Sequence, residues 1–321
     1  LVLNAKSTAY TVAPVLYGFK HFYPGIRVVG VVFNFVASVA HYAYLQQACA
    51  DAGVEALGYI PKDESIVIPS RHLGLSIDET FCFDAFADRV AEVIDKTVNV
   101  DRLLELCTVE FSGEQTEDVV CSGNRKIAIA RDEAFNFMYR ENVEALKRAG
   151  EVVFFSPLHD KRLPDADLVY FPGGYPELYL PELAANEGMR QAVRKYCETG
   201  GRVLAECGGM MYLCDTITSD DGKVYPMAGV LKQGATMEQM KLKLGYREVR
   251  VNGQRIRGHE FHYSRILPGH EKIPVIGTIY NAKDMVVDTP VYTYKNVLAS
   301  YIHFYWGECG IDHFLMLMSQ K

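Results

Sequence analysis

The sequence predicts an α/β protein built from two parallel-sheet units, and three observations carry that reading. Val- and Ile-rich apolar runs alternate with segments of helical period. The alternation stops in a polar, acidic stretch after residue 107 and then restarts. The restarted part ends in a β-rich tail. A chain of 321 residues suits two domains. The expected division is residues 1–107, a linker at 108–125, and residues 126–321.

In the first unit, Leu1–Ala5 reads as a strand already in progress, which, with no initiator Met, leads us to expect a segment upstream. Ser7–Lys20 is a predicted helix with Ser7 as its cap, shortened or kinked by Pro14. Pro24-Gly25 is a turn. Arg27–Val36 is too apolar to be half-exposed and fits a central parallel strand. Ser38–Ala52 is a helix closed by Gly53, Val54–Ile60 a strand, and Arg71–Leu75 a loop. Asp78–Cys107 is helical, with a break near Val98–Asp101. The linker holds Glu110, Glu114, Glu117 and Asp118 and reads as a solvated tether.

The second unit opens with strand Lys126–Ala130 and helix Asn136–Ala149, closed by Gly150. Strands follow at Glu151–Ser156 and Leu168–Phe171, then a mainly helical stretch Leu178–Thr199. Arg202–Glu206 is a strand running into Cys207-Gly208-Gly209, with a helix from Met210. Beyond Asp220 strands are expected at Lys243–Val251, Arg257–Ser264, Val275–Tyr280 and Asn296–Tyr305.

Composition narrows the function. With 33 basic and 40 acidic residues the net charge is −7, which argues against a nucleic-acid binder. No apolar run reaches the roughly 18–20 residues of a membrane span; Val28–Ala40 is interrupted by Asn34. The eight cysteines form no C-x-x-C pair and are too sparse for a disulfide scaffold, so a reducing cytoplasm is expected.

The segment Arg202–Met211 delivers a cysteine from a strand into a glycine pair at a helix start, the outline of a nucleophile elbow. The helix N-terminus favours a thiolate, and the Gly208 amide can face a developing oxyanion. Read alone, Cys207 could as well be a buried structural residue. A second segment, Asp167–Glu177, is a strand ending in Pro172-Gly173-Gly174, whose glycine amide can supply another oxyanion donor at the carboxyl edge of the sheet. A third, Ala299–Gly307, places His303 near a strand end, where an imidazole can serve as base for a thiol. Alone, each of these also reads as an ordinary turn or core residue.

Taken in order, Gly-Gly, Cys and His resemble a class I glutamine amidotransferase domain. Lys126–Phe137, Gly173–Glu177, Glu206–Met210 and Arg257–Ser264 narrow this: they look like the cobyrinic acid a,c-diamide synthase family over essentially the whole chain. The resemblance implies a dethiobiotin-synthetase-like ATP-binding unit followed by a flavodoxin-like glutaminase unit. It implies Cys207 as nucleophile, His303 as base, and Gly174 and Gly208 as oxyanion donors. Many class I relatives carry His-x-Glu, but here Tyr305 stands two after His303, which leaves a Cys-His dyad with Glu206 and Glu308 as nearby carboxylates.

The resemblance also implies ATP, Mg²⁺, glutamine and a corrinoid acid as reactants, with amidation of the a and c side chains in cobalamin synthesis. Asn34 would contact adenine, and Arg71 and His72 phosphate or substrate carboxylates; a strand-end cap and a loop salt bridge are the plainer readings. A homodimer is compatible with it. No G-x-x-x-x-G-K-[ST] is present, so this chain is expected to keep the glutaminase half and not the full ATP-dependent reaction. His259-Glu260-Phe261-His262 lacks the zincin spacing, and its two rings should leave opposite faces of a strand, so no metal site is expected. Alternatives are a related tetrapyrrole (hydrogenobyrinic acid or nickel-sirohydrochlorin), a non-catalytic module with a glutaminase shell, or a stand-alone amidohydrolase.

Overall fold

The computed structural model describes residues 1–68, 70, 71, 74, 75, 82–110, 123–307 and 311, with 70, 71, 74 and 75 described by their backbone. Its contacts divide the chain into two units, Leu1–Gln115 and Thr116–Lys321.

The first unit holds β1 (Val2–Asn4), α1 (Ala13–His21), β2 (Gly30–Val36), α2 (Val39–Ala52), β3 (Glu55–Pro61), β4 (Ser70–Arg71), β5 (Gly74–Leu75), α3 (Phe83–Thr97) and α4 (Val100–Cys107). Its main sheet is parallel in the order β1-β2-β3. Val31, Phe33 and Val36 of β2 are buried against Leu16 of α1 and Leu45, Ala48 and Cys49 of α2, as the apolar run requires. The Ser38 hydroxyl accepts from His41 N–H and caps α2, and Gly53, in the left-handed region at φ 64°, closes it. Ser7 does not cap α1. A 3₁₀ turn, Tyr10–Val12, leads in instead, and Pro14 sits in the first turn, where a missing N–H costs nothing. The break between α3 and α4 is capped by Asn99, which accepts from Arg102 N–H.

The second unit holds β6 (Arg125–Ala130), α5 (Arg140–Ala149), β7 (Gly150–Phe155), β8 (Leu168–Phe171), α6 (Leu180–Ala185), α7 (Glu187–Glu198), β9 (Arg202–Glu206) and α8 (Gly208–Leu213). It continues with β10 (Cys214–Thr218), β11 (Val224–Pro226), β12 (Leu231–Thr236), β13 (Lys243–Val251), β14 (Gln254–His262), β15 (Arg265–Leu267), β16 (Thr278–Asn281), β17 (Val291–Tyr294), β18 (Val297–Ser300) and β19 (Ile302–Phe304). The central sheet runs β17-β18-β9-β8-β6-β7, parallel except for β17. β8 and β18 are buried along their whole length, as expected of strands covered on both faces. A second, antiparallel sheet runs β16-β13-β14-β19, and a third β11-β10-β12-β15.

Several boundaries differ from expectation for physical reasons. α5 begins at Arg140, because Phe137 N–H is committed to Gly173 O. The helical stretch splits at Asn186, whose side-chain amide donates to Pro157 O and Asp160 O, both at 2.8 Å. The helix after Cys207 stops at Leu213, and the β-branched run Cys214–Thr218 pairs as a strand. The strand expected at Val275–Tyr280 lies at Thr278–Asn281. The strand expected over Asn296–Tyr305 is two strands in two sheets, joined at Tyr301.

Candidate active site

The site lies at the carboxyl ends of β6, β8 and β9. β6 and β8 are neighbours, yet β6 connects onward to β7 on one side and β8 to β9 on the other, so the connections diverge and leave a crevice. Cys207, directly after β9, takes φ 46° and ψ −108°, a strained conformation for a residue with a side chain. Its N–H donates to Ser300 O at 2.7 Å and its carbonyl starts α8, so hydrogen bonds on both sides hold the strain. Its thiol faces Phe261 O of β14 at 3.8 Å.

The glycines fit by absence of side chain. A Cβ on Gly208 would stand 2.7 Å from Pro176 Cδ and 2.9 Å from Gly174 O, and one on Gly174 2.1 Å from Ala134 O. A Cβ on Gly173 would stand 2.2 Å from His303 Cε1, so the imidazole rests directly on that glycine. Thus Pro172-Gly173-Gly174, Cys207-Gly208 and His303, separated by up to 130 residues, meet at one place. The Cys207 thiol and the His303 ring are not hydrogen-bonded to each other; the thiol turns to Phe261 O.

His303 sits on β19, opposite His259 of β14. The two imidazoles stack with centroids 4.8 Å apart and planes 16° apart, and Phe137 meets His303 edge-on at 4.6 Å. Tyr139 O–H lies 2.6 Å from His259 Nδ1. Among the described residues, His303 Nδ1 is buried and has no hydrogen-bond partner. Phe137, Tyr139 and the Phe261 carbonyl were not foreseen as site groups. The Arg257–Ser264 motif was the available signal for His259 and Phe261 and the Lys126–Phe137 motif for Phe137, while Tyr139 lies beyond both motifs and became visible only with its contact to His259.

Two carboxylates near the dyad are committed elsewhere. Glu206 accepts from Tyr170 O–H at 2.8 Å and Phe304 N–H at 3.2 Å, so it does not orient His303. Burial pushes its carboxyl up to about 8 against those hydrogen bonds. Glu260 accepts from Arg247 Nε at 2.7 Å, His262 Nε2 at 2.7 Å and Thr289 Oγ1 at 2.8 Å. Burial there would raise it, but these donors hold it at about 2. The rings of His259 and His262 do leave opposite faces: His262 meets Glu260, Ser264 O and Tyr301. Among the described residues no group of three His, Cys, Asp or Glu is arranged to hold a metal.

The resting pair is uncharged. Burial pushes the Cys207 thiol well up, with the Glu177 charge adding to it and the Gly208 N–H opposing it. Burial pushes His303 down to about 3, helped by His259 and His262. Burial likewise raises Glu177 to about 7.

Of the other expected contacts, Asn34 lies within β2, two residues before its end and paired with Asn4 and Ile60, with its Oδ1 accepting from Phe35 N–H at 2.9 Å. Arg71 lies in β4, and its side chain is outside the description; His72 and Glu308 lie outside the described residues.

Residues 126–309 match the family model of the CobB/CobQ-like glutamine amidotransferase domain, which spans the cysteine, the glycines and the histidine of this site. Over 323 residues the chain is 34% identical to cobyrinate a,c-diamide synthase of Salmonella typhimurium, covering 96% of this chain and 70% of that protein. It is 35% identical over 338 residues to the cobyrinate a,c-diamide synthase of Caldanaerobacter subterraneus, covering 98% and 73%. It is 36% identical over 306 residues to hydrogenobyrinate a,c-diamide synthase of Pseudomonas aeruginosa, covering 95% and 69%. The chain belongs to the cobyrinate and hydrogenobyrinate a,c-diamide synthase family, amidating enzymes of cobalamin biosynthesis.

Proposed function

We propose that this protein serves the ATP-dependent amidation of the a and c side-chain carboxylates of cobyrinic acid in the cytoplasm, and that this chain carries its glutaminase half, drawing nitrogen from glutamine by a Cys207–His303 dyad. The observation that carries the glutaminase part is the convergence of Gly173, Gly174, Cys207, Gly208 and His303. The corrinoid and ATP parts draw on family membership. A hydrogenobyrinate substrate is the second reading, because a relative of that name is as similar as the others.

Glutamine enters with its carboxamide above Cys207. His303 takes the thiol proton as sulfur attacks the amide carbon, so both groups leave their neutral resting state together. The oxyanion is met by the N–H of Gly208 and of Gly174. The imidazolium returns its proton to the departing nitrogen, the C–N bond breaks, and ammonia and a thioester result. His303 then accepts a proton from water, which displaces the thiol and yields glutamate. In the first unit Asn4 Oδ1 accepts from Lys6 N–H and Asn34 Oδ1 from Phe35 N–H, and the sequence contains no G-x-x-x-x-G-K-[ST]. The described residues therefore do not fit ATP or Mg²⁺ well enough to derive a step through either.

Cys207→Ala and His303→Ala in the intact protein should each lower glutamine hydrolysis by about a thousandfold or more. Unchanged glutamine hydrolysis in Cys207→Ala would sink the reading.

A further inference from the structure

The His303 nitrogen that a third, orienting group would hold is empty-handed. Among the described residues Nδ1 is buried and without a partner, and Glu206, one of the two carboxylates the sequence offered, is taken by Tyr170 and Phe304. A base that must shuttle a proton twice still needs a fixed ring plane. In this protein the plane is set by packing: Gly173 lies below Cε1, the Phe137 edge stands at 4.6 Å, and the His259 face lies at 4.8 Å, 16° from parallel.

His259 is itself anchored. Its β14 position is paired directly with His303 across the sheet, and Tyr139 O–H meets its Nδ1 at 2.6 Å. Burial raises the Tyr139 phenol and lowers His259, which favours the uncharged form of both partners of this hydrogen bond. A neutral aromatic face beside His303 is suited to the moment when that ring becomes a cation, because the ring face is the negative end of the quadrupole. A charged His259 would oppose that same step. Two residues on, Phe261 of the same strand gives its carbonyl to the Cys207 thiol, so β14 touches both members of the pair. Below it, Glu260 and His262 lock the strand through Arg247, Thr289, Ser264 and Tyr301.

We infer that His259, held by Tyr139, is the positioning residue of the dyad: its stacked ring fixes the plane of His303 and steadies the imidazolium, in the place a carboxylate fills in His-x-Glu relatives. This rests on the glutaminase reading above, and the experiment separates the two. Glutamine hydrolysis by the intact protein is measured for His259→Ala, His259→Phe and Tyr139→Phe, with Cys207→Ala and His303→Ala alongside and the melting temperature of each recorded.

His259→Ala should lower kcat by about 10- to 100-fold, with KM and melting temperature little changed, in line with the loss of a group that orients a reacting one. His259→Phe, which keeps a flat face, should recover most of that loss. Tyr139→Phe removes one hydrogen bond and should lower kcat by about 2- to 10-fold, which keeps a test available if the alanine variant does not fold. The inference is overturned if His259→Ala keeps its kcat, if the phenylalanine variant is no better than alanine, or if Tyr139→Phe acts only on melting temperature. If Cys207→Ala and His303→Ala also keep their rates, it is the dyad reading itself that fails.

Discussion

Cys207 is held at a positive φ by hydrogen bonds on both of its sides, and the glycines around it leave space where any side chain would collide. The same enclosure removes water, and burial dominates both proton affinities: the thiol rises and His303 falls to about 3. Neither group is ionised in the free protein near neutral pH, and no imidazolium is present to lower the thiol. Site-resolved alkylation of Cys207 by iodoacetamide should therefore be slower at pH 7 than that of exposed Cys82 and Cys107, and should keep rising past the ordinary thiol value of about 8.5. A Cys207 profile that levels off below that value would show a preformed thiolate and a different resting state.

At the scale of elements, the decisive feature is the change of sheet at Tyr301. Ser300 pairs with Glu206 in the central sheet, while Ile302 and His303 pair with Glu260 and His259 in the antiparallel one. The buried Tyr301 makes the crossing, accepting from the Ser264 hydroxyl at 2.9 Å and stacking on His262 at 3.6 Å. β19 is then held from its far side by Asn142 of α5, which donates to Phe304 O at 2.7 Å and accepts from Trp306 N–H at 2.9 Å. Asn142→Leu would remove one hydrogen bond from each of these two backbone groups. Thermal or urea unfolding should show a loss of about 1–3 kcal/mol, at roughly 0.5–1.5 for each hydrogen bond removed. Glutaminase activity should fall with it as β19 loosens. A loss under about 0.5 kcal/mol would mean that other groups satisfy these atoms.

At the scale of the whole molecule, each unit has its own core. Leu16, Phe33 and Leu45 centre the first, and the second has one cluster on each face of its central sheet. All groups assigned to glutamine hydrolysis lie in the second. We propose that residues 123–321 are sufficient for that half-reaction: expressed alone, they should fold cooperatively and hydrolyse glutamine with a KM within about tenfold of the intact protein's, as expected of a domain with an independent core. An unfolded product by circular dichroism would argue against the division. Folded but inactive protein would place a needed group in the first unit.

The sequence by itself carried the α/β class and the family. Leu168–Phe171 and the Val203–Ala205 centre of β9 are continuous apolar runs, and Gly-Gly, Cys and His come in motifs long enough to be read without coordinates. Cys207, His303, Gly174 and Gly208 could be proposed as site residues for the same reason: each stands in or beside a strand whose period and punctuation are local. The stacked His259, the Tyr139 phenol and the Phe261 carbonyl were not legible, nor was the division of Asn296–Tyr305 between two sheets. Those depend on pairings between β14 and β19, about 40 residues apart, and between the loop after β6 and Gly173, some 36 apart. Whether a lone imidazole near a strand end is a core residue or a base is settled by what packs on its faces, and only the folded chain brings those faces together.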